Sequence, residues 1–141
     1  MSRKGFTLVE LMVVILIVAI LAAVAIPIMR GRIDAAKWSE GKAMMGTIAT
    51  AIRAYCAEWD GPPENLDLTG LDMDADLGFR RGDLVGTYFT QDLFSIIEGD
   101  YNVPTNVLTF KIEASKGAGI NAPDTYTLDN FGNWVAAAAG P

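Results

Sequence analysis

Glu10 lies one helical turn inside an apolar run, and from Leu11 to Met29 that run holds no charge and no strongly polar side chain. Such a stretch is about the length a helix needs to cross a bilayer core. An unpaired carboxylate there costs roughly 2.5 to 3.5 kcal/mol on insertion scales, so Glu10 requires a partner. A cut between Gly5 and Phe6 would create one. The new α-amino group has a pKa of about 7.7 to 8.0 and is largely positive at neutral pH. Phe6 and Glu10 are four residues apart, within reach along one helix. Between parallel helices, the same carboxylate reaches the amine of a neighbouring copy and sets the register of the stack.

Other chemistry is sparse. The 141 residues include no histidine, and Cys56 is the sole cysteine. Imidazole acid–base work, histidine-ligated zinc, Cys–His nucleophilic pairs and an intrachain disulfide are therefore excluded. Cys56, between Tyr55 and Ala57 in a helical pattern, reads as a core thiol. No two carboxylates stand in a recognisable acid–base arrangement, and Gly117-Ala118-Gly119 lacks the helix and lysine of a phosphate loop. The chain is expected not to be an enzyme.

The acidic stretch around Asp72, Asp74, Asp76 and Asp83 has part of an EF-hand's spacing, and calcium is the cofactor it would take. Leu77 stands at the sixth position where glycine is required, and the twelfth is Asp83 rather than glutamate, so a solvated acidic loop with no cofactor is the plainer reading. Formal charge is −6, and without Arg3 and Lys4 it is −8, with 9 basic residues against 17 acidic. That balance disfavours nucleic acid as a partner.

The elements that would position Glu10 follow from periodicity. After the apolar run, Met44, Met45, Ile48, Ala51, Ile52, Tyr55, Cys56 and Trp59 recur on one face, opposite Lys42, Thr47, Thr50, Arg53 and Glu58. One helix from Phe6 to Asp60 is expected, ended by Gly61-Pro62-Pro63. Pro27, Gly31, Gly41 and Gly46 interrupt it, and a kink is expected at Pro27 and Gly31. Residues 61–87 read as an acidic surface loop with one short helical turn.

Residues 88–136 read as three or four antiparallel strands. Tyr88-Phe89, Leu93 to Ile97, Val107 to Ala114 and Thr125 to Leu128 are the candidates, with Asp129-Asn130-Phe131-Gly132-Asn133 supplying turn chemistry before Trp134-Val135. On Val107 to Ala114, Leu108, Phe110, Ile112 and Ala114 face a core and Thr109, Lys111 and Glu113 face water. Aromatic residues at these spacings read as core rather than as a path for electrons. Ala136 to Pro141 reads as a lightly packed tail. The fold class is α+β, a long helix packed on a small antiparallel sheet, with one domain beside the membrane segment.

The short basic leader Met1-Ser2-Arg3-Lys4, then Gly5-Phe6-Thr7-Leu8-Val9-Glu10 and a long apolar helix, resembles the prepilin signature of type IV pilins and type II secretion pseudopilins. The likeness is close over about the first 30 residues and holds only in layout beyond them. It implies a leader of residues 1–5, a membrane and filament-core helix of residues 6–29, and a head of residues 30–141 whose helical part is 30–60. It implies that a membrane-embedded prepilin peptidase cuts after Gly5 and methylates the Phe6 amine, and that Glu10 serves assembly. The lone cysteine departs from the many pilins that staple a C-terminal loop with two.

The implied function is a structural filament subunit, held by lipid in the bacterial inner membrane as a monomer. It would polymerise with itself through an inner-membrane assembly platform and ATPase, into a pilus-like or a periplasmic pseudopilus filament. Two rivals share the N-terminus. Ala23-Val24-Ala25 offers the pattern cut by signal peptidase, although the apolar stretch exceeds the usual h-region and Glu10 lies near its start. An uncut anchor is the third reading, and either rival would leave a monomeric binding domain, secreted or anchored. Arg3 and Lys4 before the helix and Arg30 and Arg32 after it leave orientation open.

Overall fold

The computed structural model describes residues 5–137, so the leader residues 1–4 and the tail residues 138–141 lie outside the described residues. A single helix, α1, runs over Leu8–Ala57 and contains both Pro27 and Gly31. It starts two residues later than the apolar pattern suggests because Thr7 caps it, and the chain leaves it at Ala57, ahead of the Gly61-Pro62-Pro63 stop. The chain divides into two compact units, residues 1–35 and residues 36–141.

In the second unit five antiparallel strands form one sheet in the order β1-β2-β3-β4-β5. They are β1 (Asn65–Asp67), β2 (Phe94–Asn102), β3 (Val107–Ser115), β4 (Thr125–Asp129) and β5 (Trp134–Ala137). Five strands replace the expected three or four. The additional one is β1, inside what reads as the acidic loop, where Asn65, Leu66 and Asp67 pair with Asn102, Tyr101 and Asp100. Tyr88-Phe89 is not a strand, and a short 3₁₀ turn at Gln91–Leu93 leads into β2. Ala136 and Ala137, read as tail, belong to β5 and pair with Tyr126 and Thr125.

On β3 the alternation places Phe110, Ile112 and Ala114 in the core with Leu108 half-buried, while Thr109 is exposed. From α1, Trp38, Met45, Ile48, Ile52 and Cys56 enter the same core at three- and four-residue spacing. Burying a side chain of this kind stabilises by about 1.5 to 3 kcal/mol. Trp38 extends the stripe about two turns earlier than the sequence pattern indicates, its ring 5.0 Å from Phe89 and 4.8 Å from Tyr126. Lys42, expected on the wet side, is half-buried and holds its ammonium 4.0 Å over the Tyr126 ring. That geometry is a cation–π contact.

Glu40 fastens the loop before β2 onto the helix. Its Oε1 accepts the backbone N–H groups of Tyr88 at 2.8 Å and Phe89 at 3.0 Å. Phe89 is thereby delivered onto the helix surface at Gly41, where an added Cβ would lie 2.7 Å from its ring. Gly46, by contrast, has nothing within 4 Å of that position. Gly41→Ala is expected to destabilise the head by about 1 to 3 kcal/mol through overpacking. Gly46→Ala should stabilise it by about 0.5 to 1 kcal/mol through lower backbone entropy. Denaturation midpoints of the two variants in the same detergent check this, and equal shifts of one sign would contradict the packing account.

Candidate functional site

The chemistry-bearing N-terminus is built by a capping box. Thr7 precedes the first helical residue, and three positions on stands Glu10, the reciprocal Thr-x-x-Glu arrangement that satisfies orphan donors of a first turn. The Thr7 hydroxyl accepts the Glu10 N–H at 3.3 Å. Glu10 Oε2 in turn accepts the Thr7 backbone N–H and the Thr7 hydroxyl, each at 2.8 Å. The carboxylate is thus oriented by its own chain, and this partner follows from the Thr7-Leu8-Val9-Glu10 spacing alone.

Phe6 is 87% exposed, and Gly5 would meet nothing within 4 Å if it carried a Cβ. Nothing among the described residues therefore requires glycine at position 5. From Leu8 to Met29 the apolar side chains are exposed all round the helix. In its most apolar 18-residue window the mean hydropathy is 3.2 and nothing is buried. Val9, Met12, Val13, Ile15, Leu16 and Ala19 together form an apolar surface along one side of it. A helix hydrophobic all round is stable only inside lipid or among other apolar helices.

The aspartates offered as calcium candidates serve the loop's own backbone. Asp72 Oδ1 accepts the N–H groups of Asp74 and Ala75 at 2.7 and 2.9 Å, while Asp76 accepts from Asp72 and Asp83 from Arg80. Asp74 takes the Gln91 side-chain amide at 2.5 Å. The Ala75 and Asp74 donors hold the Asp72 carboxyl below the usual carboxylate range. Among the described residues no group of three or more acidic, histidine or cysteine side chains is placed to hold a metal ion. Cys56 is free and buried in the core.

Residues 1–26 match the family profile described as the prokaryotic N-terminal methylation motif. The chain is similar to the fimbrial protein EcpB of Eikenella corrodens, 40% identical over 139 residues that cover 95% of this chain and 84% of that protein. It is similar to a type IV major fimbrial protein FimA of Dichelobacter nodosus, 35% identical over 102 residues covering 71% of this chain and 56% of the relative. It thus spans little more than half of that FimA. With the type II secretion system core protein G of Pseudomonas aeruginosa it shares 43% identity over 54 residues, 38% of each chain. No solved structure matches.

Proposed function

We propose, from the premise that this chain belongs to the type IV pilin family, that it is a structural subunit of a pilus-like filament polymerised through its N-terminal helix. The observation that carries this reading is the bare apolar surface of α1, which lacks any burial over its most apolar window. Lipid covers that surface in the monomer and the same helix of other copies covers it in the filament, so assembly exchanges one apolar environment for another. Dispersion packing supplies the adhesion, and the Glu10 carboxylate against the Phe6 amine of a neighbour supplies the register.

In this reading a prepilin peptidase cuts between Gly5 and Phe6 and methylates the Phe6 amine, which the match of the methylation motif to residues 1–26 supports. The monomer waits in the bacterial inner membrane, and an assembly platform with its ATPase extracts it. The chain's work is structural rather than catalytic. Fimbrial similarity across 95% of the chain, against 38% for the secretion protein, supports a surface pilus over a periplasmic pseudopilus. Shearing cells that express the chain and imaging the released material tests this. Thin filaments labelled by an antibody to the head are expected; a chain found only as membrane monomer, or only as a freely secreted domain, would contradict it.

A further inference from the structure

The apolar run of α1 ends on two cations. From Leu11 to Met29 no side chain is charged, and Arg30 and Arg32 follow at once, separated only by Gly31. At 1.5 Å per residue that run rises about 28 Å, against a hydrocarbon core of about 30 Å. Its apolar side chains are exposed all round the helix, so lipid meets every flank. Where the run spans the core, both arginines stand at the depth of the lipid phosphates, at the end from which residues 36–141 follow.

Arg30 and Arg32 are both exposed. Among the described residues neither guanidinium makes an ion pair or a hydrogen bond, and Asp34, the acidic residue nearest in sequence, is buried. Positions two apart on an α-helix differ by about 200° in direction, so the two side chains leave on nearly opposite flanks and reach different headgroups. Residues 36–141 hold 7 basic residues against 15 acidic, a formal charge of −8. An anionic surface repels that unit, which leaves Arg30 and Arg32 as the cations that could draw such a surface to this depth.

We propose that Arg30 and Arg32 form a site for anionic phospholipids, each guanidinium holding the phosphate of a separate headgroup. The planar fork of arginine donates two parallel hydrogen bonds to phosphate oxygens, while its aliphatic stem lies along the apolar edge. A zwitterionic headgroup carries its own ammonium, which competes for the phosphate; phosphatidylglycerol has none. The inference rests on the membrane-held monomer of the reading above and adds the class of lipid which that monomer selects. Extraction into a filament then has to break both contacts.

The test reconstitutes the full chain, and its Arg30→Gln, Arg32→Gln double variant, into vesicles of equal parts phosphatidylglycerol and phosphatidylcholine. Native mass spectrometry then counts the lipids that stay on each chain when it is released. Each arginine at a lipid surface favours anionic lipid about fivefold, and the acidic unit offsets part of that. A ratio of phosphatidylglycerol to phosphatidylcholine roughly tenfold higher on the unmodified chain than on the variant is therefore expected. Arg3 and Lys4 are present in both chains and drop out of the comparison. Glutamine is a good helix former, and both chains should float with the vesicles. Equal lipid ratios on the two chains would overturn the site and leave the filament reading standing. An unmodified chain that does not float with the vesicles would overturn the membrane-held monomer as well.

Discussion

Glu10→Val is expected to insert in the membrane and to be cut after Gly5 like the unmodified chain, yet to yield roughly a hundredfold less filament. Removing one partner of a buried ion pair costs about 3 to 5 kcal/mol, because the other charge stays buried and uncompensated, and 1.4 kcal/mol is tenfold in an equilibrium. In the proposed filament the stranded group is the Phe6 amine of the neighbour. The monomer moves the other way, since valine removes a carboxylate from the apolar segment. Glu10 also closes the capping box with Thr7, and two further variants separate capping from charge. Glu10→Gln keeps an acceptor for the Thr7 N–H and removes the charge. Thr7→Val removes the hydroxyl and keeps the charge. Filament recovered by shearing should fall with Glu10→Gln nearly as far as with Glu10→Val, and much less with Thr7→Val; the reverse order would mean that Glu10 acts only as a cap.

Gly5→Ser should stop processing. A Cβ at position 5 meets nothing within 4 Å among the described residues, so folding and membrane insertion are expected to be unaffected and the variant reports on recognition alone. A peptidase subsite shaped for glycine discriminates against a larger side chain by roughly 10- to 200-fold in kcat/KM. Accumulation of uncut, membrane-bound chain with no filaments is the expected outcome, read as a band retaining the leader. Correctly cut protein at normal rates would refute the assignment of Gly5 and Phe6 to the cleavage site.

The two ends of the chain differ in how far their sequence betrays them. In α1 the membrane segment declares itself because every side chain from Leu11 to Met29 obeys the same solvent, so composition alone suffices. Thr7 was equally legible, since Thr-x-x-Glu is a local arrangement, but a charge in an apolar run draws attention to a cation before a hydroxyl. Strand β3 was readable from its alternation of Leu108, Phe110, Ile112 and Ala114. Strand β1 was not. Three residues, Asn65 to Asp67, carry no periodicity, and what makes them a strand is Tyr101 and its neighbours more than thirty positions on.

Side chains that act across long separations were hidden for the same reason. Glu40 carries no signal in the helical pattern, and only the fold brings the Tyr88 and Phe89 N–H groups to it. Tyr88-Phe89 reads as strand by residue type, while its place is fixed by that carboxylate and by the gap that Gly41 leaves for the Phe89 ring. Phe131 shows the converse. Its turn was predictable from Asp129, Asn130 and Gly132, but that the turn holds an aromatic ring in water rather than in the core depends on where the sheet ends.

Whether this chain is a processed filament subunit is tested most directly by the intact mass of the mature protein from sheared filaments, with fragmentation to define its first residue. The account predicts a chain that begins at Phe6 and carries one methyl group on its α-amine. A chain beginning at Ile26, as after cleavage by signal peptidase, or one that retains Met1 would contradict it.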